Sequence, residues 1–130
     1  MSTVLVVDDD AAIVWLLSEM LSGMGYSVIG SEDPMEAMTI LGDTTKATDV
    51  LISDYHMDEM SGAQLARCGL REVPTLKFVL MSGDPAALNK VRQEDLFLAK
   101  PFDLDQLQQM MGRVDSVTWP RPFRDRRQVH

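Results

Sequence analysis

Asp49-Val50-Leu51-Ile52-Ser53-Asp54-Tyr55-His56 is a short apolar run that ends in an acid. Aliphatic and β-branched residues in so short a run read as a buried strand, and a strand buried on both faces belongs to a parallel sheet. In open α/β sheets, ligands gather outside the carboxyl ends of the strands. Asp54 is therefore placed where chemistry usually happens. A lone acid at a strand end more often caps a turn, so the reading depends on what the other strand ends carry.

Thr3-Val4-Leu5-Val6-Val7 is a second such run, and it meets Asp8, Asp9 and Asp10. Leu76-Lys77-Phe78-Val79-Leu80-Met81 meets Ser82 and Gly83, and Leu96-Phe97-Leu98-Ala99 meets Lys100 and Pro101. A shorter strand is expected over residues 26–30. Between the strands the apolar period changes to that of a helix. Ile13, Leu16, Leu17, Met20, Leu21 and Met24 follow the i, i+3, i+4, i+7 pattern. Asp10 or Asp9 can cap that helix, and Gly23 or Gly25 can end it. Asp33-Pro34-Met35-Glu36 has the form of N-cap, N1 proline and N3 acid, opening a helix to about Leu41. Ser61 and Gln64 form a capping box for a helix through Leu65, Ala66 and Cys68, which Pro74 breaks. Asp84-Pro85 opens a short helix through Leu88 and Val91. Asp103 caps a last one whose Leu104, Leu107, Met111 and Val114 share a face.

Strands and helices alternate five times, and right-handed crossovers make this a doubly wound parallel sheet. The expected fold is α/β and flavodoxin-like, with five helices, strand order 2-1-3-4-5 and a switch point between the first and third strands.

Composition sets limits on function. At 130 residues, 45% hydrophobic and 25% charged, the chain has the makeup of one globular domain. A net charge of −8 argues against non-specific binding to nucleic acid or to an anionic membrane. No apolar run is long enough to span a bilayer, and the acidic N-terminus does not read as a signal peptide. Cys68 is the only cysteine, so a reducing cytoplasmic location is expected. The ten methionines fall mostly at core spacing. Residues 1–115 carry 8 basic and 19 acidic groups, net −11, whereas residues 116–130 carry 4 Arg and 1 Asp, net +3. The expected division is a domain over 1–115 and a basic C-terminal tail over 116–130. In that tail Pro120 and Pro122 oppose a helix; a solvated extension is the favoured reading, and the sharper alternative is that Trp119 and Phe123 dock on the domain or on a partner.

Under this topology Asp8, Asp9 and Asp54 meet at one edge of the sheet, with Ser82 and Lys100 ending the next strands on the same side. Clustered carboxylates repel, which raises the pKa of at least one unless a cation is bound. Mg²⁺ suits such a set of oxygen ligands. Carboxylates, a metal, a hydroxyl and an ammonium together describe a phosphoryl-transfer site. One carboxylate attacks phosphorus to give an acyl phosphate, and the cations and the hydroxyl neutralise charge on the peripheral oxygens.

Four motifs, VLVVDDD at 4–10, VLISDYHM at 50–57, FVLMSG at 78–83 and FLAKPF at 97–102, resemble the receiver domain of bacterial two-component response regulators over Thr3 to about Val114. The resemblance implies that Asp54 accepts a phosphoryl group from a histidine kinase or phosphotransfer protein. It implies that Asp8, Asp9 and Asp54 hold Mg²⁺ with the backbone carbonyl of His56. Ser82 takes the hydroxyl position, Lys100 pairs with the phosphoryl group, and Phe97 is the aromatic that changes rotamer with Ser82 on activation. A cis bond before Pro101 is also implied. The activity so implied is a stand-alone switch rather than an enzyme, catalysing only its own phosphoryl transfer and loss. It would signal to a downstream protein target that the residues do not name.

The sequence departs from the family in places. Asp58 stands where many members have proline. The segment from Ser82 to Lys100 is shorter than usual by about one helical turn, so a short or irregular fourth helix is expected. His56 and Asp84 occupy variable positions that tune phosphoryl lifetime in the family. Two other readings compete. One is a small Mg²⁺-dependent phosphatase resembling the haloacid dehalogenase family, with Asp8 as nucleophile and Asp10 as acid/base. The other is a receiver-like interaction module that is never phosphorylated.

Overall fold

β3 (Val50–Asp54) is buried at all five positions, which requires cover on both faces of its sheet. A computed structural model of the chain, describing residues 2–90 and 95–116, supplies that cover. β1 (Thr3–Val7), β2 (Ser27–Ser31), β4 (Lys77–Ser82) and β5 (Leu96–Ala99) complete a five-stranded sheet in the order β2-β1-β3-β4-β5. Every pairing is parallel. The expected strand order is found. β2 and β4 each begin and end one residue later than the sequence suggested.

The helices are α1 (Ala11–Gly23), α2 (Pro34–Gly42), α3 (Gly62–Glu72) and α4 (Leu104–Ser116). The expected fourth of five helices is a 3₁₀ segment, Pro85–Lys90; Val91, assigned to it from sequence, lies outside the described residues. Local chemistry fixes the starts. Asp10 Oδ1 accepts from the Ala12 N–H and Asp33 Oδ1 from the Met35 N–H, each at 2.9 Å. Ser61 and Gln64 bond reciprocally as a capping box. Asp103 and Gln106 form a second reciprocal pair, at 2.8 Å in both directions, of which the sequence reading named only Asp103.

Two apolar layers enclose the sheet. Val4, Val6, Ile52, Val79, Met81 and Leu98 pack with Leu17 and Leu21 of α1 and Leu107, Met111 and Val114 of α4. Leu5, Val7, Leu51 and Leu80 pack with Ala37 and Leu41 of α2 and Leu65 and Ala66 of α3. Each fully buried leucine contributes roughly 1.5–3 kcal/mol relative to exposure. Two residues assigned to the core from sequence are not in it: Leu16 is 42% exposed and Leu104 44%. The buried stripe of α1 is Val14, Leu17 and Leu21, and Leu16 points about 100° away from Leu17. Leu104 opens α4 a turn ahead of Leu107, the first buried residue of that helix. The Lys100–Pro101 bond is cis. Among the described residues no helix is long and apolar enough to cross a membrane. Trp119, Phe123 and the rest of the tail from residue 117 lie outside the described residues.

Candidate functional site

β1 and β3 lie side by side where the strand order reverses; β1 leads into Asp8, and Asp54 is the last residue of β3. Asp8 is held by its own backbone, whose N–H donates to the Ser31 carbonyl at 3.2 Å. Its Oδ1 accepts from the Asp10 N–H at 2.9 Å. Lys100 follows β5, and its N–H donates to the Ser82 carbonyl at 2.9 Å. From there the side chain reaches past the end of β4. Nζ lies 2.7 Å from Asp8 Oδ2 and 3.2 Å from Asp54 Oδ1. Asp8 and Asp54 are buried, while Asp9 is exposed.

Burial pushes the Asp54 carboxyl above its ordinary value, and the Asp8 charge adds to this; Lys100 opposes both without cancelling them. Burial pulls the Lys100 ammonium down, but the Asp8 hydrogen bond and the charges of Asp54 and Asp8 outweigh it, so its pKa is raised. The ammonium therefore stays protonated beside a carboxyl that is less acidic than usual.

Asp8, Asp9 and Asp54 can each present an oxygen within 4.8 Å of the others. Three carboxylates with no soft or nitrogen donor fit a hard divalent cation. Next to them is an open cavity of about 370 Å³ lined by Asp9, Tyr55, His56, Met57, Asp58 and Ser61. The site thus pairs a place for a cation with an ammonium able to meet anionic oxygens.

The remaining residues singled out from sequence fall around this centre. Ser82 is buried at the end of β4, and its Oγ accepts from the Asp84 N–H at 3.0 Å. Phe97 is half-buried, packs against the α2–α3 layer and pairs in register with Leu80, two steps before the Ser82–Ala99 pair. His56 Nε2 stands 3.5 Å from Asp84 Oδ2, both side chains about half exposed. The sequence pairs these two positions by family role alone, and the structure brings their side chains together at the rim.

Gly62 belongs to the site although none of the four motifs includes it. Its N–H donates to the Tyr55 carbonyl at 2.8 Å. A Cβ there would run into the Asp54 carbonyl oxygen and stand 3.0 Å from Ser53 Oγ. A glycine a few residues after a strand-ending acid was the available signal.

The family model described as "Response regulator receiver domain" matches residues 4–112. The DNA-binding transcriptional regulator NtrC of Klebsiella pneumoniae is 35% identical over 115 residues, which are 85% of this chain and 24% of that protein. The transcriptional regulatory protein GlrR of Escherichia coli K12 is 33% identical over 127 residues, 95% of this chain and 28% of that one. The chain thus spans about a quarter of the length of these curated relatives. Among solved structures, the chemotaxis protein CheY4 of Vibrio cholerae superposes with a TM-score of 0.76 at 27% identity, covering 88% of this chain and 98% of that one. The response regulator TrrA of Thermotoga maritima, solved in complex with Mg²⁺-BeF, gives 0.75 at 26% identity, covering 88% and 99%.

Proposed function

This chain belongs to the response regulator receiver domain family, and from that premise we propose that it is a phosphorylation switch with Asp54 as the phosphoryl acceptor. The observation that carries this reading is the Lys100 ammonium joined to both Asp8 and Asp54. A carboxylate oxygen of Asp54 attacks phosphorus, and its bond to phosphorus forms as the bond to the donor breaks. Lys100 then exchanges carboxylate partners for phosphoryl oxygens. Ser82 Oγ already accepts from the Asp84 N–H, so its own hydrogen is free to donate to a phosphoryl oxygen. Mg²⁺ fits the donor set; Asp8, Asp9, Asp54 and the backbone carbonyl of His56 would hold it, and it would supply neutralising charge.

Mg²⁺-BeF in the TrrA neighbour supports this reading by likeness. The phosphatase alternative finds no support in the comparisons. It is also weakened by Asp10, whose carboxylate caps α1 rather than serving Asp8 as an acid. The donor is a histidine kinase or phosphotransfer protein, the setting is cytoplasmic, and the output is a protein contact rather than turnover of a diffusible substrate. Ser82 and Phe97 carry the change. The test is incubation with Mg²⁺ and acetyl phosphate followed by intact mass spectrometry. Wild type is expected to gain one phosphoryl group and Asp54→Asn none. Equal labelling of both proteins would overturn the assignment.

A further inference from the structure

α1 turns large apolar side chains to water. Trp15 is 65% exposed and Leu16, its neighbour, 42%. Single exposed apolar residues are ordinary, but two adjacent ones of this size on a helix form a patch. The patch continues along the helix at i, i+3 and i+4 spacing through exposed Ala12 above and Glu19 and Gly23 below.

α4 covers the same face of the sheet as α1 and runs in the same direction, since both start beyond the carboxyl ends of strands. The Tyr26 hydroxyl donates to Asp115 Oδ2 at 3.1 Å, which places the end of α4 beside the turn that follows α1. The chain beyond Ser116 therefore leaves the domain at the foot of α1. Residues 117–130 contain Trp119, Phe123, four arginines and one aspartate. The domain they leave carries −11, and they carry +3.

The distances allow contact. Trp15 lies eight residues above Gly23, about 12 Å along the helix axis, and packed helices lie about 8–10 Å apart. The two displacements together amount to about 15 Å; seven extended residues span about 23 Å and three about 10 Å, so Phe123 reaches the level of Trp15 while Trp119 stays lower on the helix.

We propose that residues 117–130 dock in cis on the outward face of α1, with Phe123 covering Trp15 and Leu16 and Trp119 lying below them, toward Glu19 and Gly23. The arginines face Glu19 and, higher up, exposed Asp9 and Asp10, and an arginine stacks on the Trp15 ring. A tether this short holds the tail at a local concentration on the order of millimolar, so a weak contact is enough. Asp9 also lines the cavity beside Asp54, so the docked tail stands beside the candidate site.

The chain has two tryptophans, Trp15 and Trp119, so the full protein labelled with fluorotryptophan gives two ¹⁹F resonances, assigned by Trp15→Phe and Trp119→Phe. The expected result is a Trp15 resonance with a reduced H₂O/D₂O isotope shift. That shift should rise to the free amino-acid value in Trp119→Ala/Phe123→Ala, rise toward it in high salt, and be unchanged by dilution. An unchanged amide spectrum for residues 2–116 confirms that the domain keeps its fold. A fully solvent-shifted Trp15 in wild type overturns the proposal. So does a shielded Trp119 with Trp15 still exposed, which puts the tail elsewhere, and so does shielding lost on dilution, which makes a second copy the occupant.

Discussion

Lys100 Nζ stands 2.7 Å from Asp8 Oδ2, a contact between residues 92 apart in sequence. It places a protonated ammonium against a carboxylate that is 1% exposed. Lys100→Met leaves Asp8 buried without that partner and removes the opposing charge from Asp54. Loss of a partner for a buried charged group costs about 1–3 kcal/mol. Urea unfolding at neutral pH without divalent ions is expected to give that loss. An unchanged midpoint would mean that backbone N–H groups alone satisfy Asp8.

Mg²⁺ should raise the thermal midpoint of the wild type, because a ligand that binds only the folded state stabilises it by mass action. The increase should be larger in Lys100→Met, where three carboxylates face one another with less compensation. Asp9 is exposed and gives up little on folding, so Asp9→Ala should fold normally yet show a smaller Mg²⁺ response. An equal response in Asp9→Ala would remove Asp9 from the metal site.

At high pH the end of α4 should loosen. Burial lifts the Tyr26 hydroxyl above its ordinary value, and the charge of Asp115 and its hydrogen bond lift it further. The folded protein thus holds this proton more tightly than the unfolded chain does. The associated stability is complete below the unfolded value of about 10 and is lost as pH rises through the folded one. Wild type should therefore lose more stability above about pH 10 than Tyr26→Phe does. Parallel denaturation curves for the two proteins over that range would contradict it.

Gly62→Ala should damage the site without touching a charged group. The new methyl meets the Asp54 carbonyl oxygen, which is backbone and cannot swing aside. Strain of this kind costs about 1–3 kcal/mol. Phosphorylation by acetyl phosphate should fall sharply in protein that still folds by circular dichroism. Normal labelling would show that the loop can shift away from Asp54 at no cost to the chemistry.

The strand order and the acid cluster were legible because strands buried on both faces are apolar runs, and each such run here ends in a polar residue. The caps were legible because Asp10, Asp33 and Ser61 act on N–H groups two or three residues away. Trp15 and Leu16 were harder, since apolar residues fill more of α1 than one face, and only the position of the sheet decides which face is inside. The His56–Asp84 approach and the Lys100–Asp8 contact join distant segments, and no local pattern encodes a distance. For the 3₁₀ segment, Asp84-Pro85 announces a helix start equally well for either helix type.

Ser82 and Phe97 share the α2–α3 side of the sheet, two steps apart across the β4–β5 pairing, in which Leu80 faces Phe97 and Ser82 faces Ala99. An added phosphoryl brings nearly two negative charges and strong acceptor oxygens. It should draw the Ser82 hydroxyl toward Asp54 and away from the Asp84 N–H that it now accepts from. The volume vacated lies beside Phe97, a ring that is already half-buried and has no hydroxyl to hold it at the surface. Little rearrangement is then needed, and a differential affinity of a few kcal/mol moves the population. Ser82→Ala should still accept the phosphoryl group at Asp54 while failing to shift Phe97. The measurement is a structure with beryllofluoride bound, for wild type and for Ser82→Ala, set against the unliganded form. Inward movement of Phe97 in wild type alone is the expected outcome. The same ring position in all three would direct attention to the loop after Asp54, where His56 meets Asp84.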